Sequence, residues 1–391
     1  MKHRPNTSPW TLDPQTLHNT LDHAQSGLDA LMAPMHDMAH TLQQAWASVG
    51  LADLAAAPGQ AVAGGRFETH RFSNEVGARS YKLYVPAQAG PAQGVPRPMV
   101  VMLHGCTQSA DDFAAGTQMN RWADQHGFLV LYPEQAAQAN PAKCWNWFNG
   151  DDQLRDAGEP ALIAGIVREV VAQHAVDGGR IFVAGLSAGA AMAVILGQTY
   201  PELFAAVGAH SGLPYARAHD VSSALALMQS GRSPAASGPE TAAALQPVGL
   251  HAVPTIVFHG DRDHTVQHSN GQAIVQQACE AYLAEAGQAT LLISTHPGTS
   301  ADGRGYSRTV HTHAAGHAHI ESWTLHGAGH AWSGGDARGS YTDDSGPDAS
   351  AQMLRFFLAL PGRAAAASQV EGSIAGEEDP GSALDEGSVR D

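Results

Sequence analysis

The segment 180-RIFVAGLSAGAAMAVILGQTYP-201 joins a strand-like run to a helical one. RIFVAG (180–185) is a short apolar run that reads as a strand, and AGAAMAVILGQTYP (188–201) reads as a helix stopped by its proline. Between them stands Gly185-Leu186-Ser187-Ala188-Gly189, a G-x-S-x-G. At a strand-to-helix junction this is the pattern of a nucleophile elbow. Its glycines permit a strained turn that lifts the serine hydroxyl above the sheet, and the helix N-terminus favours developing negative charge. The same five residues would also suit an ordinary glycine-rich turn. The strand before them and the small-residue helix after them favour the catalytic reading.

Outward from this unit, strand-like and helical runs alternate from about residue 66. RSYKLYVP (79–86) and PMVVMLHG (98–105) read as strands, the second a continuous apolar run of the buried kind. ADDFAAGTQMNRWADQHG (110–127) reads as one helix ending at Gly127, followed by the strand FLVLYP (128–133). ALIAGIVREVVAQH (161–174) and GQAIVQQACEAYLAEAG (271–287) read as helices, and FAAVGAHSG (204–212) and VPTIVFHGD (253–261) as strands. Residues 223–249 read as an insertion or lid. Alternation of this kind implies a mostly parallel sheet with helices on both faces.

A nucleophilic serine needs a base and an orienting acid, in the chain order Ser, acid, His. After Ser187 comes 256-IVFHGDRDHTV-266, an apolar strand running into a loop with two acids. Asp263 stands where the carboxylate should emerge, and Asp261, two residues nearer the strand, is its rival. Further on, 325-LHGAGHAWSGG-335 places His330 in a glycine-flanked turn after the strand-like HIESWTL. One histidine among 22 would ordinarily be structural, but the joint order singles out His330. The loop 102-MLHGCTQSADDF-113 follows the third strand, where a backbone N–H joins that of the residue after the nucleophile as an oxyanion donor. These donors are assigned to Cys106 and Ala188, with His104 as a brace for the loop.

Other clusters carry less. His311 and His313 would share one face of a strand, as a metal pair would, but lack a carboxylate or cysteine at ligand spacing, so a solvated hairpin is expected and no metal or cofactor is invoked. Cys279 reads as a core residue of its helix. A bridge between Cys106 and Cys144 is left open, reduced thiols being the cytosolic default.

The ends differ from the middle. Leu17, Leu21, Ala24, Leu28, Leu31, Met35, Met38 and Leu42 form one apolar helical stripe, which Gly27 and Pro34 interrupt. Residues 1–50 are therefore expected to be an amphipathic helical segment, 51–65 a linker, 66–362 the catalytic domain and 363–391 a disordered acidic tail. In the last 21 residues seven acids stand against Arg390. The net charge of −16 argues against a nucleic-acid partner. No run is long and apolar enough to span a bilayer, and MKHRPNTSPWTLDPQ has no secretory-signal pattern. With only three cysteines, the expectation is a cytoplasmic protein, secretion by an unrecognised route being the alternative.

LHGCTQSADDFAAGTQMNRWADQHGFLVLYPEQ, CWNWF, GLSAGAAM, HGDRDHTV, GAGHAWSGG and GSYTDDSGPDASAQMLRFF, in this order over about residues 66–360, resemble the poly(3-hydroxybutyrate) depolymerase family of esterases. The resemblance implies an α/β-hydrolase fold, a serine esterase acting on polyhydroxyalkanoate esters without a cofactor, and Ser187, Asp263 and His330 as triad. It also implies Cys106 in the oxyanion loop, a pairing of Cys106 with Cys144 as in secreted members, and Trp145, Trp147 and Trp332 lining the cleft. Core packing is the competing reading of those tryptophans. Because secreted members carry a signal peptide and a substrate-binding domain, this chain looks more like the intracellular depolymerases, with the N-terminal stripe as an arm for an apolar granule surface. That stripe equally suits a homodimer seam or a helix packed on the catalytic domain. Feruloyl, acetylxylan or general carboxylesterase activity is the alternative within the enzyme class, and a granule-associated binding protein with weak hydrolase activity is the alternative outside it.

Overall fold

A computed structural model of the chain describes residues 65–87, 95–232, 249–287, 290–313 and 318–362. The chain divides between Gln60 and Ala61 into two units, and every described residue belongs to the second. The expected N-terminal helix, the linker before Gly65, most of the insertion at 223–249 and the acidic tail lie outside the described residues. Among those described, no helix is long and apolar enough to cross a membrane.

Among the described residues ten strands form one sheet: β1 (Arg66–Asn74), β2 (Gly77–Val85), β3 (Arg97–Leu103), β4 (Leu129–Glu134), β5 (Val176–Leu186), β6 (Ala206–His210), β7 (Thr255–Gly260), β8 (Leu292–Thr299), β9 (Gly305–Thr312) and β10 (Ala318–Leu325). Their order across the sheet is β1-β2-β4-β3-β5-β6-β7-β10-β9-β8. The six from β4 to β10 run parallel, while β1 and β2 at one edge and β8 and β9 at the other are antiparallel additions. A short pair, β11 (Trp332–Ser333) and β12 (Thr342–Asp343), lies apart.

The period of two along each central strand divides its side chains between two cores. From β3, Met99, Val101 and Leu103 enter one, and Val100 and Met102 the other. The first core is covered by α3 (Gly158–Gln173), α4 (Ala188–Thr199), α5 (Val221–Ser230) and α6 (Ser269–Glu285). The second is covered by α1 (Ala110–Thr117), α2 (Met119–His126) and α7 (Ala349–Ala359). The central strands β3, β4, β6 and β7 are thus buried on both faces, which is why β3 and β4 read as unbroken apolar runs.

The single helix expected over 110–127 is two. Ala110, Phe113, Ala114 and Thr117 form a buried stripe whose next members would be 120 and 121, yet the buried residues are Met119 and Ala123. The stripe changes phase at Gln118, which adopts φ 55° and turns the chain so that both segments face the sheet. Two other expectations are corrected. The strands β8 and β9 extend the sheet where no strand was expected. The histidine-rich 311–320 stretch joins β9 to β10, which pair antiparallel as a hairpin would, but it is not simply solvated: His311 is buried and its Nδ1 lies 3.5 Å from Cys279 Sγ on α6.

Candidate active site

Ser187 sits between β5 and α4 with φ 57° and ψ −120°, outside the comfortable range of an L-residue. The strain is held by its neighbours. A Cβ on Gly189 would collide with the carbonyl oxygens of Leu103 and His104, and one on Gly185 with the Gly189 backbone. Both outer positions of the G-x-S-x-G therefore admit only glycine, because the first turn of α4 lies directly on the end of β3. The Ser187 N–H donates to His210 O at 2.9 Å, and Ser187 O accepts from Ala191 N–H at 3.0 Å. The serine consequently stands at the N-terminus of a helix buried on every side.

Asp263 follows β7 and is 2% exposed. Its Oδ1 accepts the N–H groups of Thr265 (2.9 Å) and Val266 (2.8 Å), which fixes the carboxylate in a local turn. Its Oδ2 lies 2.6 Å from His330 Nδ1 and 3.5 Å from His259 Nε2. Burial would raise this carboxyl's pKa. The hydrogen bonds from His259 and His330 and from the Val266 N–H outweigh it and hold the group well below the usual carboxylate range. Asp261 points elsewhere: its Oδ2 is 3.0 Å from His326 Nδ1 and its Oδ1 accepts Gly327 N–H at 2.7 Å.

The loop after β3 lies against the elbow, for a Cβ on Gly105 would stand 3.5 Å from Leu186 O. Ala188 opens α4, and Cys106, the next residue after Gly105, is bridged to Cys144. His104 is buried and its pKa is depressed chiefly by that burial. Its Nε2 accepts Gln135 N–H at 3.0 Å, and its Nδ1 lies 2.7 Å from Gly105 O.

Beneath this loop is a network that the sequence did not signal. Glu159, 3% exposed, accepts from Asn146 N–H (2.7 Å), Asn146 Nδ2 (2.9 Å), Arg79 (3.2 Å) and Gln135 Nε2. Gln135 also donates to Cys144 O at 2.8 Å. One buried carboxyl thus organises the 144–147 segment and, through Gln135 and His104, the loop after β3.

The tryptophans expected to line the cleft need correction. Trp145 and Trp332 are 0% and 1% exposed, with their indole N–H groups on His104 O (3.1 Å) and Ser350 Oγ (3.1 Å). Trp147, 6% exposed, packs in the first core edge-on to Phe148. Each ring is spent on packing and each placed N–H on an internal acceptor, so none offers a face to a polymer chain. Sequence reasoning also missed His210 and His259. Both stand at strand ends beside the site, but nothing local separates them from the other histidines of the chain.

A family model described as esterase PHB depolymerase matches residues 79–292. Poly(3-hydroxyalkanoate) depolymerase C of Paucimonas lemoignei is 33% identical over 235 residues, which cover 60% of this chain and 54% of that protein. Feruloyl esterase B of Neurospora crassa is 33% identical over 145 residues, covering 37% of this chain and 47% of that one. The chain therefore spans about half the length of these curated relatives. Among solved structures, acetyl xylan esterase from Aspergillus awamori superposes with a TM-score of 0.55 at 18% identity, over 75% of this chain and all of that one. That likeness establishes the α/β-hydrolase fold.

Proposed function

We propose a function from one premise: the chain belongs to the esterase PHB depolymerase family. On our reading it is a serine carboxylic ester hydrolase. The observation that carries this is the 2.6 Å pair of His330 Nδ1 and Asp263 Oδ2, on the same end of the sheet as the strained Ser187 turn. Asp263 holds the Nδ1 proton of His330, leaving Nε2 to take the proton of Ser187 as its Oγ attacks an ester carbonyl. The N–H groups of Cys106 and Ala188 stabilise the oxyanion, His330 passes the proton to the departing alcohol, and water activated by the same imidazole releases the acid.

The substrate we propose is poly(3-hydroxybutyrate) or its oligomers, supported by the family and by the similarity to the Paucimonas lemoignei protein. A feruloyl or acetylxylan ester is the second reading, since relatives so named are also 33% identical, over shorter stretches of 145 and 171 residues. Purified protein is tested for clearing of amorphous polyhydroxybutyrate and for ferulate release from methyl ferulate, with Ser187→Ala as control. Polymer clearing lost in Ser187→Ala supports the first reading; ferulate release without clearing supports the second. Activity unchanged in Ser187→Ala overturns the mechanism. The N-terminal segment enters the same proposal as a granule-surface arm: a chain lacking residues 1–50 should keep cleavage of soluble esters and lose granule binding.

A further inference from the structure

Asp261 and Asp263 leave β7 two residues apart, and each faces a histidine from the loop after β10. Asp263 meets His330; Asp261 meets His326, whose Nδ1 lies 3.0 Å from Asp261 Oδ2. The second pair continues outward. His326 Nε2 is 2.9 Å from the hydroxyl of Ser307 on β9, which pairs with Thr324 of β10 two residues before His326. The chain from Ser307 through His326 to Asp261 thus repeats the order of groups found in a serine-hydrolase relay, at a different place on the sheet.

The geometry selects the reactive tautomer. A carboxylate only accepts, so neutral His326 keeps its proton on Nδ1 and presents an unprotonated Nε2 to the Ser307 hydroxyl. Asp261 is itself fixed, its other oxygen holding Gly327 N–H at 2.7 Å. His326 and Asp261 are solvent-accessible, with 48% and 35% of their side chains exposed, so a small ester can approach. We infer that Ser307 is a second, histidine-activated nucleophile of this chain, a site that takes acyl groups from small activated esters.

In the reaction the Ser307 Oγ attacks the acyl carbon while its proton passes to His326 Nε2. The carbonyl re-forms as the bond to the leaving oxygen breaks, and the imidazolium returns the proton to that oxygen. The products are an acyl-Ser307 ester and a free alcohol. The limits of the site are equally physical. Ser307 lies within β9, flanked by β8 and β10, so the main chain around it serves the sheet rather than an oxyanion hole. Losing one oxyanion donor typically costs about 10²–10³-fold in rate, so only esters with good leaving groups should react.

The test uses the full chain carrying Ser187→Ala, so its outcome is independent of the proposed function. The protein is incubated with p-nitrophenyl acetate, and adducts are located by peptide mass mapping. Acetylation at Ser307 is expected, lost in Ser307→Ala and slowed at least tenfold by His326→Gln. No adduct at Ser307, or labelling at an unchanged rate in a folded His326→Gln variant, would overturn the inference.

Discussion

Ser187 and His210 are joined through the backbone, the serine N–H donating to the histidine carbonyl at 2.9 Å. The His210 imidazole reaches the opposite side of the site, where its Nε2 accepts Ser333 N–H at 3.0 Å, three residues beyond His330. One residue therefore ties the Ser187 turn to the loop that carries His330. The ring stacks on Phe258 and Trp332 and is fully buried. Burial, reinforced by His259 and His330, lowers its pKa to about 3, so it remains a neutral acceptor.

His210→Phe preserves the stacking but leaves Ser333 N–H without its acceptor, a cost of about 1–3 kcal/mol. Thermal unfolding should show that loss, and kcat should fall more than KM changes. His210→Gln, which can still offer an acceptor, should recover part of both. The pH dependence follows from the depressed pKa. The unfolded histidine binds a proton below 6.5 and the folded one does not until about 3, so this contribution is complete above 6.5 and is lost as pH falls through that window.

Asp263→Asn and Asp261→Asn should separate the two acids. Without its acceptor-only partner His330 loses the correct tautomer, and kcat should drop roughly 10⁴-fold in Asp263→Asn. Asp261→Asn disturbs His326 and Gly327 instead and should cost less than tenfold. Steady-state ester hydrolysis by the two variants checks this, and equal losses would contradict it.

Glu159 should make stability fall with rising pH. Burial first, and then the charge of Asp152, raise its pKa from 4.5 to about 7 against the opposing bonds from Gln135, Asn146 and Arg79. Its contribution is complete below 4.5 and is lost as pH rises through about 7. Glu159→Gln brings an N–H donor among donors, so it should lower stability by about 1–3 kcal/mol and flatten this slope. Melting temperatures at pH 5 and pH 8 for both proteins provide the measurement.

The Cys106–Cys144 bridge closes 38 residues of chain, worth about 4 kcal/mol in the chain-entropy account of cross-linking. Cys144→Ser should lower the melting temperature by several degrees and, on the proposed mechanism, reduce kcat, since the bridge anchors the loop after β3. Thiol titration of the unfolded native protein without reductant should find one free thiol, that of Cys279. Such a bridge persists in oxidising compartments, so three free thiols in protein from intact cells would instead match the cytoplasmic expectation.

Contiguous side chains encode the local elements of this fold. The apolar runs of β3, β4 and β5 announce strands buried on both faces, and Gly185, Ser187 and Gly189 announce the elbow because strand, turn and helix lie within one short segment. Which distant groups meet depends instead on how the sheet and its loops pack. Spacing alone does not separate Asp261 from Asp263, although the family resemblance favoured Asp263; the turn that Asp263 caps at Thr265 and Val266 aims it at His330 and leaves Asp261 to His326. Trp145 and Trp332 have rings suited to a cleft or a core, and only the internal acceptors His104 and Ser350 placed them in the core. Glu159, Gln135 and His104 stand 24 and 31 residues apart along the chain and form one network because separate strands and a helix end bring them together. Local periodicity is a property of neighbours in sequence, whereas hydrogen-bond partners are chosen by the packing of the whole sheet.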